Sequence, residues 1–169
     1  MVHGTLFDAR LLEQLERGAI GDEEFFEAFC RKTGVRPDRA ATVRAASDIF
    51  QLRTEMVPLV SGLHRAGHRL GILSNTSQMH WDHCRRRYDV LKLFELPALS
   101  YRLQVAKPDA AIYLAATEMA RVAPEEVFFT DDLAKHVDGA RAFGWDAVLF
   151  TSVAQLSAEL AQRGVYWSA

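Results

Sequence analysis

The stretch VFFTDDLAKHVDGARAFG, residues 127–144, decides how the rest of the chain is read. Val127, Phe128, Phe129 and Thr130 run straight into Asp131 and Asp132, and a helical pattern follows. A short apolar run ending in carboxylates predicts a buried parallel strand with its acids at the carboxyl end. Open α/β sheets place their ligands at that end. Two adjacent carboxylates repel each other and call for a cation or a strong donor close by. The plainer alternative gives Asp132 the task of capping the next helix.

Around this stretch, apolar and polar segments alternate. Glu55 to Arg65 predicts a helix closed by Gly67, and Arg69 to Leu73 a strand that stops at Ser74-Asn75-Thr76. A helix over Gln78–Tyr88 follows, then a strand over Ala98–Leu103. Lys107-Pro108-Asp109 opens a helix that runs through Met119. After the central strand and its helix, Ala147–Phe150 predicts a last strand and Val153–Gln162 a terminal helix. Strands alternating with helices of about ten residues imply right-handed crossovers and a doubly wound parallel sheet, an α/β fold.

The first fifty residues differ. Residues 1–8 (MVHGTLFD) carry no clear pattern. Helices are predicted over Ala9–Arg17, from Asp22 to Gly34 with Asp22 as cap, and over Pro37–Phe50. Phe25, Phe26 and Phe29 make the apolar face of the second. Two regions result, a helical one over 1–52 and an α/β core over 53–169.

Composition bounds the rest. A chain of 169 residues with 49% hydrophobic residues is one domain with room for a small insertion. A net charge of −2 gives no reason to expect nucleic acid or an anionic membrane as partner. The sequence shows neither a spanning apolar run nor the three-part pattern of a signal peptide. The two cysteines, Cys30 and Cys84, fit reduced thiols and a cytoplasmic location.

Three polar features fall at comparable places in the alternation. Ser74 follows one strand, Lys107 precedes a helix, and Asp131-Asp132 follows another strand. Each alone is unremarkable: a cap, a solvated lysine, another cap. Together they make the set that a metal-assisted phosphoryl site needs. The Ser74 hydroxyl and Asn75 amide can donate to phosphate oxygens, and Lys107 supplies a point charge. Asp131 and Asp132 can hold Mg²⁺, which takes one or two carboxylates with waters and substrate oxygens. His80, His83 and Cys84 share a helix face but lack a fourth ligand at a telling spacing. Arg85, Arg86 and Arg87 read as a solvated run, Trp81 as packing, and Lys135 and His136 as surface groups.

The segments LSNT (73–76), AKPD (106–109) and FFTDD (128–132) resemble the second, third and fourth motifs of the haloacid dehalogenase (HAD) superfamily. The match is closer to its sugar-phosphate phosphatases with a small helical cap: ERGAIGDEEFFEAFC (16–30) resembles their cap helices, and GHRLGILSNT (67–76) their second core strand. The resemblance implies Ser74 and Asn75 as phosphate ligands, Lys107 as stabiliser of phosphate and phosphoenzyme, and Asp131 and Asp132 as the Mg²⁺ acids. It implies a magnesium phosphatase of small phosphorylated metabolites, foremost a sugar phosphate, acting through an aspartyl-phosphate.

One departure stands against these matches. The family's nucleophile lies in a D-x-D pattern at the end of its first strand, and this sequence has no D-x-D. Met1-Val2-His3-Gly4-Thr5-Leu6 is similar to the tail of that motif with both acids replaced; the register preferred here starts the chain inside the cap. The family's first strand is central, and without it two interior strands keep unpaired edges, at about 1–3 kcal/mol per buried unpaired group. Three explanations follow: a true start further upstream, a makeshift strand from Val2 to Phe7, or a strand from a partner chain, as in a homodimer. The rival function is a catalytically inactive HAD-like protein that binds a phosphorylated ligand or a partner; a true dehalogenase would turn over without metal.

Overall fold

The computed structural model describes residues 9–167. The register proposed for residues 1–6 and the makeshift strand from Val2 to Phe7 lie outside the described residues. Three helices come first: α1 (Ala9–Glu16), α2 (Asp22–Thr33) and α3 (Arg39–Ser47). Helix α2 carries three acids in its first turn, where the helix dipole favours them. The Glu24 carboxylate accepts from Gly21 N–H at 3.0 Å, so the cap position is Gly21 rather than Asp22. Helix α3 is shorter than expected at both ends. The Asp38 carboxylate accepts from Ala41 N–H at 2.8 Å and fixes the start at Arg39, past Pro37. Asp48, an acid at the negative end of the dipole, stands at its close, and Phe50 lies beyond it.

The alternating part follows. Helix α4 (Val57–Arg65) leads to strand β1 (Gly71–Ser74) and helix α5 (Gln78–Arg87). Strand β2 (Leu96–Leu99) runs directly into the short helix α6 (Ser100–Leu103), and α7 (Ala110–Ala120) comes next. Strand β3 (Phe128–Asp131), helix α8 (Ala134–Phe143), strand β4 (Asp146–Leu149) and helix α9 (Val153–Gln162) complete the order. Of the strand expected over Ala98–Leu103, the first two residues are strand and the last four are helix. Ser100 is fully buried, and its hydroxyl accepts from Thr76 N–H at 2.9 Å instead of joining a ladder. Gln104, at φ +57°, then ends the helical turn.

Strands β1 and β2 pair in parallel from Gly71 opposite Leu96 to Ser74 opposite Leu99. Strands β3 and β4 pair in parallel from Phe128 opposite Asp146 to Asp131 opposite Leu149. Among the described residues these are two separate two-stranded sheets. Helices cover both faces of the second pair, because successive strand residues point to opposite sides. Ala147 and Phe129 pack with Ile112, Tyr113, Val137, Ala140 and Trp145 on one face. Val148 and Phe128 pack with Leu59, Leu156 and Leu160 on the other. Tyr113 closes the first cluster, donating from its hydroxyl to the His136 carbonyl at 2.7 Å. No helix among the described residues is long and apolar enough to cross a membrane.

Helix α1 is bolted to the core at its end. The Ser100 hydroxyl donates to the Glu16 carbonyl at 2.5 Å, and Arg17 pairs with Asp109 at 2.9 Å. Gly18 follows at φ +66°, where a Cβ would meet the Tyr101 carbonyl oxygen at 2.3 Å. A backbone oxygen cannot swing aside, so only glycine fits. Gly18→Ala should therefore lower stability by more than the ~1–2 kcal/mol of left-handed strain alone. Gly34→Ala, also at positive φ but with nothing within 4 Å, should cost only that strain. Urea unfolding of the two variants measures the difference.

Candidate functional site

The carboxyl ends of β1 and β3 open onto a cleft of about 370 Å³. Ser74, Asn75, Lys107, Asp131, Asp132 and His136 line it, together with Glu16, Leu133 and Lys135. The five residues singled out by the sequence thus share one cleft. Ser74 is the last residue of β1 and Asp131 the last of β3, so strand ends aim both at the same rim.

Lys107 stands between the two strand pairs. Its ammonium donates to the Leu73 carbonyl of β1 at 2.8 Å and to Asp131 Oδ2 of β3 at 2.6 Å. Both side chains of this ion pair are only 8% exposed. An ammonium has three hydrogens, so one is left for an oxygen in the cleft. Asn75 holds the lysine's own backbone: its Oδ1 accepts from Lys107 N–H at 2.8 Å, and its Nδ2 donates to the Lys107 carbonyl at 3.0 Å. One Asn75 amide hydrogen remains uncommitted by this clamp.

Asp131 is held from three sides. Besides Lys107, its Oδ1 accepts from Leu133 N–H at 2.9 Å and lies 3.0 Å from His136 Nδ1. Burial pushes its carboxyl up, yet the bonds from Lys107, Leu133 and His136 outweigh that and hold the pKa below its ordinary 3.8. The residue is a carboxylate at neutral pH. Because a carboxylate only accepts, the His136 proton in this contact sits on Nδ1. The alternative in which Asp132 caps helix α8 is not what the structure shows. The cap position is Leu133, without a side-chain cap bond, and Asp131 takes the free N–H.

His136 corrects the expectation of a surface group. It is 5% exposed, and its Nε2 is buried without a partner. The signal was present in the sequence: His136, Val137 and Ala140 share the helix stripe that packs inward. Helix α8 comes this close because Gly139 leaves room; a Cβ there would meet the Tyr113 hydroxyl at 2.9 Å and Pro108 at 3.0 Å. Glu16 had no such signal. Burial, then Glu13, raises its carboxyl above the ordinary value. Trp81 is buried, and Arg85, Arg86 and Arg87 do not line the cleft.

Whether magnesium suits these donors depends on the lone pairs left over. Asp131 uses three of its roughly four acceptor sites and keeps one on Oδ2, while Asp132 is exposed. Among the described residues no third His, Cys, Asp or Glu joins them to make a closed metal cluster. Two carboxylates with the remaining positions open suit magnesium, which prefers waters and substrate oxygens to an all-protein cage.

The profile of the haloacid dehalogenase-like hydrolases matches residues 5–144. Among solved structures, a HAD family enzyme from Bacteroides thetaiotaomicron superposes with TM-score 0.81 at 25% identity, covering 94% of this chain and 80% of that one. The same enzyme in complex with magnesium and inorganic phosphate gives TM-score 0.79 at 26% identity, covering 86% and 78%. The L-2-haloacid dehalogenase of Xanthobacter autotrophicus, with chloropropionic acid covalently bound, shares the fold at TM-score 0.60 and 21% identity, covering 86% and 61%.

Removing one partner of the buried pair strands the other charge. Lys107→Met should cost about 3–5 kcal/mol, whereas replacing Lys107 and Asp131 together by apolar residues should recover much of that loss. The sign of the pH effect follows from the depressed Asp131 pKa. Its stabilisation is complete above the ordinary 3.8 and is lost as pH falls through the lower folded value. Urea midpoints measured from pH 5 down to pH 2.5 should fall, and Asp131→Asn should flatten that slope.

Proposed function

Because the chain belongs to the haloacid dehalogenase-like hydrolases, we propose that its cleft binds the phosphate group of a small phosphate monoester for magnesium-assisted hydrolysis. The observation that supports this reading is the convergence of Ser74, Lys107, Asp131 and Asp132 on one rim. The third Lys107 hydrogen and the Ser74 hydroxyl would donate to phosphate oxygens, and the free Asn75 hydrogen would assist. Asp131 and Asp132 would hold magnesium, which supplies positive charge against the phosphate and fixes its orientation. His136 and Leu133 N–H keep the Asp131 carboxylate from rotating, so Lys107 stays aimed at the cleft. A likeness at 26% identity to an enzyme crystallised with magnesium and inorganic phosphate supports the same reading.

Hydrolysis through an aspartyl-phosphate needs an aspartate nucleophile, and the D-x-D pattern that would carry it does not occur in this sequence. That observation favours a second reading, a phosphate-binding member without turnover. Sequence resemblance points to a sugar phosphate as the ester; the organic part is decided by what adjoins the cleft.

Two measurements separate the readings. Titration with inorganic phosphate in the presence of Mg²⁺ should show binding that Lys107→Ala weakens at least tenfold. Release of p-nitrophenol from p-nitrophenyl phosphate, lost on chelation of Mg²⁺, would establish the phosphatase. Phosphate binding without release, both in this chain and in a form extended upstream of Met1, would establish the binding protein; release only in the extended form would establish the phosphatase. Absence of both would sink the phosphate site itself.

A further inference from the structure

Beside the polar cleft lies a second cavity, of about 210 Å³, and Glu16 lines both. Six of its eight lining residues are apolar. Leu12 of α1, Phe25 of α2 and Met79 of α5 form its floor, where helices α1 and α2 meet the core. Ile49 and Phe50, just past α3, form its lip and stay 49% and 37% exposed. His80, the remaining lining residue, contacts Phe50 edge to face at 5.0 Å. Burial above all lowers its pKa from 6.5, so its ring is neutral at pH 7 and adds no charge to the wall.

We propose that this cavity is the subsite for the organic part of the substrate, and that it takes an apolar group: an aryl or branched alkyl phosphate rather than a polyhydroxylated sugar phosphate. The proposal rests on the phosphate reading of the neighbouring cleft. A sugar's hydroxyls would lose their water against Leu12, Phe25 and Met79 and find few partners there. An aromatic or branched alkyl group loses nothing and covers Ile49 and Phe50, which otherwise face solvent. Among the described residues, the half-buried Glu16 is the one that lines both the cleft and the cavity, so the two adjoin at this side chain.

Calorimetric titration of the full chain, in Mg²⁺, with inorganic phosphate, glycerol phosphate and phenyl phosphate tests the assignment. Phenyl phosphate should bind at least tenfold tighter than glycerol phosphate. Ile49→Ser changes a side chain that is 49% exposed and should reduce that ratio below threefold while inorganic phosphate binds as before. Equal affinity for the two esters, with inorganic phosphate still bound, overturns the apolar subsite and leaves the phosphate cleft standing. A phenyl preference that Ile49→Ser does not alter places the ring elsewhere and also overturns it. No binding of inorganic phosphate removes the phosphate reading, and this one with it.

Discussion

One ammonium group ties the two halves of this molecule together. Lys107 reaches the backbone of β1 through the Leu73 carbonyl and the end of β3 through Asp131, and it does so almost out of contact with water. Among the described residues no ladder of hydrogen bonds joins the two strand pairs, and this side chain bridges their ends directly. The arrangement is demanding. A buried charge is tolerated only when it is paired and its donors are used, and here the lysine has one partner of opposite sign and one carbonyl.

The rest of the site follows from keeping that pair in place. Asn75 grips the peptide of Lys107 on the lysine side. On the aspartate side, Leu133 N–H and His136 hold the carboxylate, and Tyr113 holds the His136 backbone from below. The Tyr113 hydroxyl, its pKa pushed up to about 12 by burial and then by the charges of Asp131 and Asp109, stays a donor at any ordinary pH. The absence of a side chain at Gly139 lets α8 lie against Pro108 and so brings His136 under Asp131. Core packing and site geometry are here the same set of contacts.

Much of this was legible in the sequence because it depends on period and position. The four-residue apolar run before Asp131, the stop at Ser74-Asn75-Thr76 and the opening at Lys107-Pro108-Asp109 each mark the end of an element. The ends of parallel strands converge by topology. Other features depend on partners far away in the chain. Ser100 turns strand into helix because it meets Thr76 and Glu16, 24 and 84 residues distant, and no local pattern carries that. His136 is a different case: its charged neighbours Lys135 and Asp138 outweighed the inward stripe with Val137 and Ala140 that marked it as buried. The lone pairs left on Asp131 could be counted only once its three partners were known.

The pairing of Lys107 with Asp131 also sets the electrostatic balance of the cleft. With that charge cancelled, Lys135 offsets Asp132, and Glu16 leaves the cavity neutral to slightly negative. A phosphate dianion arriving alone would meet little attraction, and a divalent cation arriving alone would find two carboxylates of which one is already engaged. The two are better guests in each other's company than apart. Thermodynamic reciprocity then requires that whatever factor the cation adds to phosphate affinity, phosphate returns to the cation.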